Sequence, residues 1–224
     1  MPRSLTLFWL AWLSPAVLAG EPDLMVKSET IAAPSELAEP VREALGKQTY
    51  TVVGKDGDRL TLWLRSNIPA KANAQQIKNG LTYREIPEGT LIGAVKFPAT
   101  FVDFRKQEIP AGVYTLRLAV QPETGDHMGT APYADFVLLT QAENDLTTEG
   151  VEPKALYKVS AKITGGDHPA VMVLFPSKAK TAVPTLVKKA DKVSVLETML
   201  ALDAEGGKAT LGFAITVEGH TKAK

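Results

Sequence analysis

Two short segments carry the residue types best suited to chemistry. Gly125-Asp126-His127-Met128 and Gly166-Asp167-His168 repeat an Asp-His pair in stretches punctuated by glycine and proline. Imidazole nitrogens with carboxylate and thioether donors nearby suit a soft or borderline metal such as copper or zinc, and Met172 follows closely in the chain. The candidate metal ligands are therefore Asp126, His127, Met128, Asp167 and His168. The competing reading is structural: Gly-Asp is ordinary turn chemistry, and a loop histidine can simply donate to a carbonyl. The third histidine, His220, lies in the C-terminal tail.

Other chemistries find little purchase. The chain has no cysteine, which removes thiol catalysis and disulfides together. It carries neither a Gly-x-Ser-x-Gly elbow nor a glycine-rich phosphate loop or dinucleotide fingerprint. Ser160 and Ser194 fall in alternating runs that read as strands. The acidic pairs Glu85 with Glu88 and Asp203 with Glu205 read as surface acids rather than as a tuned glycosidase pair. Asp56 and Asp58 lack the further oxygen donors and closing Glu of a calcium loop. No residue is assigned a catalytic or cofactor-binding role, and the expected cofactor is none, or copper or zinc if the histidines act together.

The elements that must position these residues are mostly strands. Thr49–Val53 and Arg59–Leu64 flank Gly54-Lys55-Asp56-Gly57-Asp58, where Asp-Gly is a strong hairpin signal. Further strands are expected at Thr90–Phe97, Val113–Val120, Asp135–Thr140, Ala155–Ile163, Ala170–Phe175, Val193–Leu202 and Thr210–Val217. Helix is confined to Pro40–Leu45, closed by Gly46, and Ala70–Lys78, closed by Asn79-Gly80. Gln141 to Pro153 reads as a polar connection across one end of the fold, and Lys178 to Lys192 as solvated loop and strand edge. In Ile109-Pro110-Ala111-Gly112 followed by Val113–Val120, a turn feeds a strand. Tyr114, Leu116 and Leu118 should face the core there, with Thr115 and Arg117 more exposed.

Strand parity then places the two Asp-His pairs. If Val113–Val120 runs up, Asp135–Thr140 runs down and Ala155–Ile163 returns upward, so the loops carrying His127 and His168 share one rim. Polar loop residues gathered at one end of a rigid β scaffold are a common way to build a site.

The N-terminus reads as an export signal. Arg3 supplies a positive charge, Leu5 to Leu13 is apolar apart from Thr6, Ser14-Pro15 breaks the run, and Val17 and Ala19 suit cleavage after Ala19, with Gly20 second. The apolar run is shorter than the roughly 20 residues a membrane span needs, so no membrane anchor is expected once the signal is removed. The 25 basic residues balance the 25 acidic ones, and no dense basic cluster points to a polyanion, so nucleic acid is not an expected partner. A protein or a small molecule is.

Tyr114 and its neighbours in Pro110-Ala111-Gly112-Val113-Tyr114-Thr115-Leu116 resemble the opening of prealbumin-like β-sandwich modules. Over roughly Val41 to Phe175 the chain resembles a family of uncharacterised exported bacterial proteins. That resemblance rests on Asp103-Phe104-Arg105, Pro110 to Arg117, Gln121-Pro122, Gly125-Asp126-His127-Met128-Gly129, Asp135-Phe136 and His168-Pro169-Ala170-Val171. It implies export and a sandwich without implying an activity. Where such relatives often read Asp-Phe-Arg-Gly, Lys106 stands at the glycine position.

The expectation is thus a mostly β protein: a signal at 1–19, an extension with a short helix at 20–44, a single prealbumin- or immunoglobulin-like β-sandwich at 45–220 with one or two short capping helices, and a tail at 221–224. Its expected role is a non-enzymatic binding or structural module, periplasmic or extracellular. The alternative is a metal-binding or metal-dependent site at the loop rim.

Overall fold

Antiparallel hairpins build most of the chain. A computed structural model describes residues 23–121, 132–166, 168–189 and 193–220. Seven strands form one sheet: β1 (Leu24–Glu29), β2 (Leu45–Gly54), β3 (Gly57–Arg65), β5 (Leu91–Phe97), β8 (Gly112–Val120), β9 (Asp135–Gln141) and β10 (Val171–Val173), in that spatial order. Each pairs antiparallel with its neighbour. The Asp56-Gly57 turn joins β2 to β3 as its sequence predicts, with Gly57 at φ 111. The stretch before residue 45, expected as an extension, supplies β1 to this sheet.

A second sheet holds β11 (Thr185–Lys188), β12 (Ser194–Ala204) and β13 (Gly207–Glu218), and β4 (Ile68–Ala70) joins β12 in parallel. The short β6 (Phe101–Val102) and β7 (Glu108–Ile109) form a separate hairpin. The two larger sheets meet twice. Beyond β10, Leu174 bridges to Ile215 on β13 and the Phe175 N–H donates to the Ala214 carbonyl at 2.8 Å. On the far side β1 and β11 lie side by side without a ladder, joined by an exposed ion pair from Asp23 to Lys188, while Asp23 also pairs with Lys55 in the β2–β3 turn. The result is a mostly β, curled antiparallel sheet with, among the described residues, three short helices, and its inner surface is filled by one cluster that includes Tyr50, Leu62, Leu116, Met172, Leu202 and Phe213.

Tyr83, in a 3-10 turn at Tyr83–Glu85, reinforces the first junction. Its hydroxyl donates to the Phe175 carbonyl and accepts from the Ala214 N–H, each at 3.0 Å. A side chain thus completes the ladder where β13 and the chain beyond β10 part. Burial pushes this hydroxyl far above the usual phenol range.

Among the helices, α1 (Glu39–Ala44) forms with Pro40 in its first turn, as its sequence predicts. The second, α2 (Ala74–Asn79), begins later than expected, because Ile68–Ala70 is spent on β4 and the Asn73 capping box fixes the start.

The third helix corrects an expectation. Ala155–Ile163 is no strand: Pro153–Ala161 is α3, continued by a 3-10 turn at Lys162–Thr164. Alternation of Ala155, Tyr157, Val159 and Ala161 matches a period of two, but Leu156, Ser160 and Ile163 at i, i+4 and i+7 are the buried set. Pro153 at the helix start and the Glu152 carboxylate accepting the Lys154 N–H settle the choice. Ser160 is accordingly a buried helix residue whose hydroxyl donates to the Ala170 carbonyl.

Candidate functional site

The expected rim loses the strand it depended on. β8 ends at Val120, which pairs with Asp135 at the start of β9. With α3 in place of an ascending strand, the chain re-enters as β10 opposite Leu138, and the Ala170 carbonyl accepts the Leu139 N–H. His168 therefore precedes a strand that joins β9 partway toward its far end. Its neighbour Pro169 accepts, through its carbonyl, the Gln107 side-chain N–H from the hairpin turn beside the start of β8.

His168 is exposed, and its carbonyl accepts the Thr164 hydroxyl. The readings on Asp126, His127, Met128 and Asp167 lie outside the described residues. Met172 does not serve as a rim donor, because β10 turns its thioether into the main core. Among the described residues no three His, Cys, Asp or Glu side chains cluster as a metal site would require.

What the structure does assemble, among the described residues, are the two most deeply buried carboxylates, Asp103 and Asp145. Asp103, fully buried, sits where the β6–β7 hairpin turns. One oxygen accepts the N–H groups of Arg105 and Gln107, at 2.8 and 2.9 Å. The other accepts the Gln107 side chain at 2.9 Å and the Val171 N–H at 3.4 Å. This one side chain fixes the hairpin turn and ties it to the first residue of β10, orienting the loop that carries His168. Burial pushes its carboxyl above the usual range, although the hydrogen bonds from Gln107, Val171 and Arg105 pull the other way. Lys106, in the same turn, holds φ 69. This is the left-handed region that glycine takes without penalty.

The second constellation was not legible as a site. Arg117 and Thr115 point outward from β8, as parity predicts, yet both are fully buried, which corrects their expected exposure. The outer face of β8 is covered along its length: residues around α1 pack against Val113, the segment 142–151 lies over Thr115 and Arg117, and α3 packs near Ala119. Gln141 to Pro153 is therefore a strap across this face. Arg117 donates from Nε to Asp145 Oδ2 at 2.6 Å and from Nη2 to Oδ1 at 2.7 Å. Its remaining N–H groups go to the carbonyls of Gly89, Glu149 and Thr147.

All five guanidinium donors are thus used. The Thr115 hydroxyl adds a bond to Asp145 Oδ2 at 2.5 Å. Gly89, at φ 79, lets the strap close, since a Cβ there would stand 1.9 Å from the Val151 carbonyl oxygen. The one available signal was an arginine within Val113–Val120, a run with no other charged residue.

Three other acids named in the sequence have structural tasks. Glu85 accepts the Thr82 N–H and hydroxyl, Glu88 accepts the Val120 N–H, and Asp203 pairs with Lys208. The chain matches no family model, no curated protein and no solved structure.

Proposed function

We propose that this protein is an exported, non-enzymatic binding or structural module that acts in the periplasm or outside the cell after loss of residues 1–19. One observation carries the non-enzymatic part. The deepest polar constellations, Arg117 with Asp145 and Asp103 with its turn, spend their hydrogen-bonding capacity on the fold itself. A catalytic acid or base instead needs reach to a reacting group. Export rests on the three-part N-terminal pattern.

The prealbumin- or immunoglobulin-like sandwich is the finer architectural reading. A core cluster shared by the two sheets supports it, while the continuous junction at Leu174 and Ile215 weighs toward a partly closed barrel.

The test has two arms. N-terminal sequencing of protein recovered from an expressing bacterium should find mature chain beginning at Gly20 or Glu21 outside the cytoplasm; Met1 retained on a cytoplasmic product would overturn export. Untagged protein should show no turnover across a panel of hydrolase substrates and no stoichiometric metal by elemental analysis. Saturable copper or zinc binding weakened by both His127→Ala and His168→Ala would replace this reading with the metal-binding one.

A further inference from the structure

We propose that Asn79 is a site of spontaneous succinimide formation, a modification that converts it to aspartate and isoaspartate in the folded protein. The chain has four asparagines, Asn67, Asn73, Asn79 and Asn144, followed by Ile68, Ala74, Gly80 and Asp145. Only Asn79 precedes a residue without a Cβ to shield the attacking backbone nitrogen.

Its surroundings favour the reaction. Asn79 and Gly80 are both exposed at the end of α2, a helix with no buried residue. The Gly80 N–H donates to the Ile77 carbonyl at 3.3 Å, a long and easily broken bond, so the last turn opens at little cost. The Asn79 Oδ1 accepts from Gln75 Nε2 at 3.0 Å, which draws electron density from Cγ, the atom to be attacked. Nothing lies within 4 Å of the place a Gly80 Cβ would occupy, so the ring has room to close. The start of the helix is held differently: Asn73 accepts two backbone N–H groups through its Oδ1, and the Gly206 N–H donates to the Ala72 carbonyl.

The step balances without a cofactor. The Gly80 nitrogen gives up its proton and bonds to Asn79 Cγ, and the Cγ–Nδ2 bond breaks as ammonia leaves with a proton. Water then opens the five-membered imide at either carbonyl. Opening at one leaves an ordinary aspartate in place of the asparagine; opening at the other gives isoaspartate, with an extra methylene in the main chain before Gly80. Both products put a carboxylate at a helix C-terminus, where the dipole disfavours it, so the last turn of α2 loosens further.

The experiment is incubation of the full folded chain at mildly alkaline pH and body temperature, followed by peptide mapping with mass spectrometry. The peptide containing Asn79 should convert first and faster as pH rises, while those containing Asn67, Asn73 and Asn144 lag. Gly80→Ala and Asn79→Gln should each abolish most of the conversion. An Asn79 peptide that stays intact in the folded chain while a urea-unfolded control converts would overturn the proposal, as would faster conversion at another asparagine.

Discussion

Asp103 and Asp145 are both buried carboxylates that hold a loop in place, yet they are neutralised in opposite ways. Asp145 meets a guanidinium in a two-pronged pair, and that guanidinium binds three carbonyls from Gly89 and the strap as well. Asp103 is satisfied by N–H groups and an amide alone. The first arrangement concentrates strap and strand on a single cation. The second distributes a negative charge over neutral dipoles, which tolerates the loss of any one donor but leaves burial acting against the charge.

Removing one partner of the ion pair should have the largest effect. Asp145→Ala leaves the Arg117 guanidinium buried without its carboxylate, so a cost of about 3–5 kcal/mol is expected, read as a lower urea midpoint. Because Arg117 also serves three carbonyls, the apolar double variant Arg117→Met/Asp145→Leu should not recover wild-type stability, unlike a simple buried pair. Full recovery would show that the carbonyl bonds matter little.

Asp103→Ala should cost less, about 1–3 kcal/mol, since the stranded donors at Arg105 and Gln107 lie in a part-exposed turn where water can replace the carboxylate. Asp103→Asn keeps one acceptor oxygen and should fall below the alanine variant in cost. An equal loss in both would mean that the charge, rather than the hydrogen bonds, fixes the turn.

The pH dependence separates the two carboxylates further. The Asp103 carboxyl sits above its ordinary range in the fold, so the native state holds that proton more tightly than the unfolded chain does. Its stabilising contribution is complete below the unfolded pKa of about 4 and is lost as pH rises through the folded value. The stability of wild type relative to Asp103→Asn should therefore decline as pH rises above the ordinary aspartate range and level off once the folded carboxyl has ionised. A difference that instead grows with pH would mean the hydrogen bonds outweigh burial.

The smallest effect should come from Lys106→Gly. Relieving the left-handed φ of 69 should raise stability by about 0.5–1 kcal/mol, less whatever the freer unfolded chain takes back. A destabilised variant would indicate that the lysine side chain makes a contribution of its own.

Much of the sheet was readable because hairpin turns are local. Asp56-Gly57 marked the β2–β3 turn, and the alternation of Tyr114, Leu116 and Leu118 gave the inward face of β8. Parity also told which way Arg117 points. It could not tell what lies over it, since the covering strap comes from residues 142–151 and presents as a polar connection. The same limit misled the reading of Ala155–Ile163, where period-two and helical patterns coincide and only Pro153 and Glu152 decide. At that helix the parity argument for a shared rim lost one of its strands, while His127 itself lies outside the described residues.

The unbonded seam between β1 and β11 bears on how the protein behaves in a crowd of its own kind. A free strand edge is a template for another chain, and folds protect such edges by covering or charging them. Here the curl turns the two edges toward each other, and Asp23, Lys55 and Lys188 place charges at the gap. Ion pairs this exposed add little to folding stability, but they repel an incoming strand that would have to desolvate them. The seam is thus a safeguard of solubility, set where the sheet stops just short of closing.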